Sequence, residues 1–361
     1  MGAEGRGFES LRPDHSIHNR NIFKVSSPEG YVLQAVHNPV IIDTALAAEG
    51  KCASLARLLK WQKERRGLID TKRSPILAIF ILLLSTGISL AQTNLSANWE
   101  ELTGPDFVQA IHQSEGVCVL PFGIIEKHGP HLPLATDLID TRFAVFNAVK
   151  QQYAVVFPEY YFGQIFEAQS QPGTVAYSLS TQLSLLQETV KEMSRNGCKK
   201  ILIVNGHGGN GSLLPLFAQA QLATPRDYVV YVFGLPHGNV PGRPAMKSQM
   251  DMHAGEAETS HMLIARPDLV HMDRATQESG ADQKRLSLPE GVYTGIWWYA
   301  RFPNHYAGEG AAGNKELGEF DQAEWSRQIA EALKAIKADQ ESLRLQNQFF
   351  EQSQHPLETK Q

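Results

Sequence analysis

Three short segments concentrate acids, imidazoles and amides in patterns suited to metal ligation and proton transfer. The first, residues 120–137, reads Leu-Pro-Phe-Gly-Ile-Ile-Glu-Lys-His-Gly-Pro-His-Leu-Pro-Leu-Ala-Thr-Asp. Glu126 and His128 stand two apart, so they share one side if the segment is extended. Carboxylate oxygen and neutral imidazole both suit Zn²⁺, Mn²⁺ or Fe²⁺. Asp137 follows a proline-rich stretch, and its two oxygens can bridge two cations. The second segment, Ile-Leu-Ile-Val-Asn-Gly-His-Gly-Gly-Asn at 201–210, is an apolar run ending in a glycine-rich turn. Glycine permits tight turning and close approach to a ligand. That places His207 at a strand end, with Gly208, Gly209 and Asn210 set to contact substrate or an oxyanion through backbone N–H groups. The third segment, Asp-Met-His-Ala-Gly-Glu-Ala-Glu-Thr-Ser at 251–260, opens an apolar helix. Glu256 and Glu258 face different ways on a helix, so at most one reaches a given ion. His253 and Glu256 are the candidate proton carriers. Trp297, Trp298 and His305 are further candidates for a substrate wall.

Positioning these residues requires strands that end together. Val117–Phe122, Ala154–Phe157, Lys200–Asn205 and Tyr228–Phe233 are short β-branched runs, expected as buried strands. Between them, Leu138–Lys150, Ser180–Asn196 and Gly211–Leu222 carry helical spacing; Glu256–Ala265 and a long helix or helix pair over Lys315–Gln346 follow. Alternating strand and helix predicts an α/β fold, a mostly parallel sheet with both faces covered, and such sheets bind ligands at the carboxyl ends of their strands. The remaining stretch, Ser279–Gly313, is a long loop rich in glycine and aromatics, a length that usually signals function.

In wording, order and spacing the three segments resemble the creatininase, or creatinine amidohydrolase-like, family. The motifs are Gly-x-x-Glu-x-His-Gly-x-His-Leu-Pro-x-x-x-Asp, then Asn-Gly-His-Gly-Gly-Asn, then His-Ala-Gly-Glu-x-Glu-Thr-Ser, and the likeness spans roughly Trp99 to Ala338. The resemblance implies a three-layer α/β/α sandwich, a homo-oligomer (usually a hexamer), and a metal centre, commonly of two divalent ions, that hydrolyses cyclic or linear amide C–N bonds. It places metal ligands at Glu126, His128, Asp137 as the bridge, and His207. Glu258 is then the remaining ligand or a water-orienting residue, and His253 the proton-transfer histidine. Bound divalent ions would lower the pKa of a shared water, and the resulting metal-bound hydroxide would attack the amide. Two positions depart from the pattern. Creatininase itself has a metal-binding Glu where this chain has Gly209, so the chain looks more like the Gly-Gly members of the family. Ser170-Gln171 stand where many members carry His and an aromatic, which implies a distinct substrate pocket. A non-catalytic metal- or ligand-binding protein on the same scaffold, and a lactone, ester or peptide hydrolase, are the alternatives.

The 361 residues are 42% hydrophobic and 20% charged, an ordinary globular composition. A net charge of −5 offers no basic excess for a nucleic-acid backbone. Three cysteines make no disulfide framework, and Cys118 and Cys198 are expected as buried free thiols, with a disulfide between them the lesser alternative that export would permit. Lys72-Arg73-Ser74-Pro75, the apolar run 76–84 and the small residues up to Ala91 follow the plan of a secretory signal peptide. The run is shorter than the about 20 residues of a bilayer span, so no stable membrane anchor is expected. Residues 1–71 show no sustained period and read as a leader upstream of the true start, with initiation near Leu68. Residues 92–361 then form the hydrolase domain, exported to a bacterial periplasm or secreted, with scavenged small-molecule amides as the fitting substrates. Amino-terminal sequencing of the natively expressed protein is expected to begin at Gln92; a mature chain starting well before residue 68 would refute this reading.

Overall fold

The computed structural model describes residues 95–234 and 240–358. The proposed leader and signal segment therefore lie outside the described residues. The elements run α1 (Gly104–Gln113), β1 (Val117–Phe122), α2 (Thr136–Gln151), β2 (Val155–Val156), α3 (Leu179–Arg195), β3 (Lys200–Asn205), α4 (Leu213–Ala220), β4 (Val229–Phe233), β5 (Asp251–His253), α5 (Glu256–Ala265), α6 (Trp297–Arg301), β6 (Ala307–Gly308), α7 (Lys315–Ala338) and α8 (Glu341–Ser353). The central sheet has the order β2-β1-β3-β4, and every pairing in it is parallel.

Alternate residues of the two central strands feed two cores, which makes three layers. Cys118, Leu120 and Phe122 of β1, with Ile201 and Ile203 of β3, pack with Ala110 of α1, Leu186 and Val190 of α3, and Phe217 of α4. Val117 and Val119, with Leu202 and Val204, pack with Ala144 and Val145 of α2 and Trp325, Ile329 and Leu333 of α7. Both faces are covered, so these strands are apolar throughout instead of alternating with polar residues.

Two glycines set the carboxyl ends of β1 and β3 against the start of α2. A Cβ on Gly123 would lie 2.4 Å from Leu138 Cα, and one on Gly206 would lie 1.6 Å from Thr141 Oγ1 and 2.9 Å from the Asp137 carbonyl oxygen. Only bare backbone allows the first turn of α2, carrying Asp137, to come that close. A second device docks α5 on α2. His261 Nδ1 lies 2.9 Å from Asp140 Oδ2, and its Nε2 lies 3.2 Å from Asp321 Oδ2 of α7. Asp140 sits one turn beyond Asp137, and His261 one turn beyond Glu258, so this clamp aligns those two acids near the sheet edge.

The structure corrects one sequence expectation here. Cys118 and Cys198 are joined by a disulfide with Cα atoms 5.6 Å apart. Cys118 pairs with Ile201 in the β1–β3 ladder, which brings the residues just before β3 beside it. Such side-by-side register follows from strand order, which cysteine spacing does not reveal. Among the described residues no helix is long and apolar enough to cross a membrane.

Burial opposes charge on His261, but Asp140 and Asp321 outweigh it and raise its pKa to about 10. A histidine whose folded pKa exceeds its ordinary value stabilises the fold fully below that value. The contribution is lost as pH rises through the folded pKa. His261→Gln should therefore cost about 3 kcal/mol of stability near pH 6. The gap to the parent protein should close as denaturation is repeated toward pH 10; a gap independent of pH would contradict the clamp.

Candidate metal centre

The three motifs converge. Glu126 and His128 lie on the extended segment after β1, Asp137 in the first turn of α2, His207 just beyond β3, and Glu258 in the first turn of α5. Glu126, His128, Asp137 and His207 are all buried, and Glu258 is half-buried.

Each histidine is oriented by a backbone carbonyl. His207 Nε2 lies 2.9 Å from the Gln164 carbonyl oxygen, to which it donates, leaving Nδ1 as a lone pair in the neutral ring. That Nδ1 lies 2.9 Å from Glu126 Oε1 and 2.8 Å from Asp137 Oδ2. Neither carboxylate oxygen has a hydrogen-bond partner of proper geometry, although both are buried. His128 repeats the pattern. Its Nδ1 lies 3.3 Å from the Glu126 carbonyl oxygen, and its Nε2 lies 2.9 Å from Asp137 Oδ1 and 3.8 Å from Glu258 Oε2. Histidines that bind metals commonly donate their second ring nitrogen in this way.

Three overlapping groups could each hold an ion: His207, Glu126 and Asp137; His128, Asp137 and Glu258; and Glu126, His128 and His253, whose Nε2 is already engaged by the Lys127 carbonyl. Asp137 contributes one oxygen to each of the first two. Glu126 Oε1 and Asp137 Oδ2, buried without donors at the first point, and the pair of acids beside His128 at the second both call for positive charge. The donor set of imidazole and carboxylate fits Zn²⁺, Mn²⁺ or Fe²⁺. Protons meet the same demand when no cation is bound. Burial works against charge on His128, yet Asp137 drives its pKa up to about 10. His207 is likewise raised, with Glu126 and Asp137 overcoming burial. Asp137 is lowered despite its burial, because His128 and His207 surround it.

The turn at 205–210 is held by its own amides. Asn205 Oδ1 accepts the His207 N–H at 3.2 Å, and Asn205 Nδ2 donates to the His207 carbonyl at 2.9 Å. A Cβ on Gly209 would fall 2.4 Å from His207 Nε2 and 3.0 Å from the Gln164 carbonyl oxygen. The contact that orients His207 therefore occupies the space a side chain at 209 would need.

His253 stands beside the cluster, its ring 4.3 Å from that of His128 and 4.4 Å from that of His305 between centroids. Its Nε2 donates to the Lys127 carbonyl at 2.8 Å, and Nδ1 makes no hydrogen bond with the described residues. Burial, reinforced by His128 and His305 and opposed by Glu126, lowers its pKa to about 3, so the ring is neutral. Burial also pushes Glu258 up to about 7, with Asp137 adding to the rise and His128 opposing it.

Glu256 is not in this group. It is buried on the far side of α5, where Oε2 accepts the N–H groups of Lys247 and Ser248 at 2.8 and 2.7 Å. Two residues along a helix turn a side chain by about 200°, which sends Glu256 away from the cluster when Glu258 faces it. Asn210 also has a different place from the one expected. It is fully buried, and its Oδ1 accepts the Gln164 N–H at 3.0 Å while Nδ2 donates to Asn205. It braces the turn and does not line the cleft. Gly208, Gly209, Trp297, Trp298 and His305 do line it.

His305 makes a contact that has no signature in sequence spacing. Trp298 Nε1–H donates to His305 Nδ1 at 2.8 Å, so the proton of the neutral ring sits on Nε2, which donates to Glu126 Oε2. Antiparallel pairing of β5 with β6 brings His305 beside His253. Lys127 fastens the same loop through Glu278, 2.6 Å away, and the Asn304 carbonyl, 2.9 Å away. His305 has φ of +56°, a region that asparagine also tolerates. His305→Asn should keep the fold but fail to reach Glu126, weakening metal binding by roughly 10- to 100-fold in a chelator competition. Unchanged metal affinity would remove His305 from this role.

The chain is similar to known proteins in sequence and in fold. The family model described as creatininase, creatinine amidohydrolase, matches residues 100–333. The creatinine amidohydrolase of Pseudomonas putida is 26% identical over 200 residues, which cover 50% of this chain and 76% of that protein. The mycofactocin precursor peptide peptidase of Mycolicibacterium smegmatis is 33% identical over 179 residues, covering 47% and 66% of the two chains. A solved manganese form of creatininase matches with a TM-score of 0.52 at 22% identity, over 66% of this chain and 98% of that one. A Zn–Zn type matches with a TM-score of 0.53 at 21% identity, over 66% and 98%. At such identities the structural likeness speaks for the fold.

Proposed function

The chain belongs to the creatininase family, and from that premise we propose that it hydrolyses amide C–N bonds at a centre of two divalent ions. One observation carries the reading: the two oxygens of Asp137 face the bare ring nitrogens of two different histidines, His128 and His207. Glu126 completes one ligand set and Glu258 the other. Divalent ions held by these residues would supply Lewis-acid chemistry, polarising the scissile carbonyl and acidifying a water molecule.

The remaining work falls to side chains of this chain. His253 is held by the Lys127 carbonyl with Nδ1 free, in the wall of the cleft. It takes up the proton lost by the attacking water and delivers it to the leaving nitrogen, which a poor amine leaving group requires. His305, fixed by Trp298, holds Glu126 Oε2 so that Oε1 keeps its aim. Because each histidine must give up a proton for an ion to bind, metal uptake releases protons and weakens as pH falls.

The proposal extends to export. A buried disulfide between Cys118 and Cys198 supports an oxidising compartment, which is where such bonds form and persist.

Elemental analysis of the loaded protein should find about two divalent ions per chain, together with amide hydrolysis. Asp137→Asn keeps the shape of the side chain and removes the shared charge; it should lose both ions and nearly all turnover. His253→Ala should keep the ions and slow turnover by roughly 10²- to 10⁴-fold. Full activity in a metal-free Asp137→Asn protein would overturn the reading.

A further inference from the structure

The cleft above the metal centre has a volume of about 740 Å³, within the range that encloses drug-sized ligands. It opens onto a shallower recess of about 420 Å³ that shares Phe166, Glu167 and Tyr293 with it. A small cyclic amide would leave most of this space to water. The walls away from the ligands are apolar and exposed: Phe166 is 40% accessible, Leu216 61% and Tyr293 78%, with Trp297 and Trp298 between them and the proposed ions.

Beyond the proposed ligands Glu126 and Glu258, Glu167 is the acid that lines the cleft, and no Lys or Arg does among the described residues. Glu167 makes no ion pair with them. The two arginines on the neighbouring aromatic loop are engaged elsewhere. Arg301 stacks over Trp297 but binds Asp282 at 2.9 Å, and Arg285 stacks over Tyr299 while donating to the carbonyls of Tyr299 and Ala300. A carboxylate seated against this wall would shed part of its water, meet the like charge of Glu167 and find no cation beyond the proposed ions at the floor.

We propose that the substrate is an amide bearing a bulky aromatic or apolar group and no carboxylate on the part seated in the cleft. This deepens the amidohydrolase reading and rests on it. Hydrolysis breaks the C–N bond; the water's hydroxyl goes to the acyl carbon, and its proton goes to the nitrogen, releasing a carboxylic acid and an apolar amine. The apolar amine leaves against the aromatic wall, where no basic side chain repels its protonated form.

Three acetamides isolate the two features in the metal-loaded full chain. N-acetylphenethylamine has the ring and no charge, N-acetylphenylalanine adds one carboxylate, and N-methylacetamide lacks the ring. The expected kcat/KM for N-acetylphenethylamine exceeds those of the other two by about tenfold or more, and calorimetric affinities follow the same order. Trp297→Ala should raise its KM about tenfold, and Glu167→Lys should narrow its lead over N-acetylphenylalanine at least fivefold. Equal handling of the acid and the neutral amide, or of the ring-bearing and ring-free amides, overturns the proposal. If the loaded enzyme hydrolyses no amide at all, the amidohydrolase reading fails instead, and the calorimetric order alone then decides whether the cleft selects neutral aromatic groups.

Discussion

A single carboxylate lies at the centre of the structure. Asp137 faces His128 with one oxygen and His207 with the other, and each histidine is tied to a backbone carbonyl on its opposite nitrogen. The arrangement is stable only with positive charge at two neighbouring points, because five buried or half-buried acceptors converge there. Everything that positions Asp137 is therefore part of the proposed chemistry. Gly123 and Gly206 let the first turn of α2 press on the ends of β1 and β3, and the His261–Asp140 contact one turn deeper brings α5 and Glu258 to the same edge.

The elements legible in the sequence are those whose burial leaves a uniform mark. Val117–Phe122 and Lys200–Asn205 are covered on both faces, so every residue is selected for packing and the run begins and ends where the strand does. Glu256–Ala265 is equally plain, since it starts at glycine and carries helical spacing. Central metal-ligand candidates were legible because imidazole and carboxylate at strand ends have few structural reasons to recur together. The pairing of β5 with β6 was not, because three- and two-residue strands have no period to detect. Neither was the Trp298–His305–Glu126 chain, whose members lie 172 to 179 residues apart in sequence from the acid they serve and meet only through that pairing. Met252 of β5 is 46% exposed and lines the cleft, its strand lying at an edge.

The choice between Glu256 and Glu258 shows where pattern reading stops. Helical geometry dictates that only one faces the ions, but the sequence does not fix the rotation of the helix. That rotation is set by His261, which must meet Asp140 and Asp321. His261 lies one turn from Glu258, so the face that docks the helix also presents Glu258. Glu256 then points to the loop at 247–248 and caps its N–H groups. Its carboxylate is structural because the clamp lies on the opposite side.

The same logic accounts for Gly209. A side chain there would collide with the His207 ring and with the carbonyl that orients it. An acid at 209 would therefore require His207 to be held in some other way. In this chain the turn gives up that position, and α5 supplies Glu258 to the second ligand set. A glycine in the turn also leaves the space above the ions open toward Leu216 and Phe166. In this chain the acid of the second ligand set thus comes from a docked helix, and the turn, braced by Asn205 and Asn210, carries none. The orientation of His207 and the bare backbone at 209 on the cleft wall therefore go together.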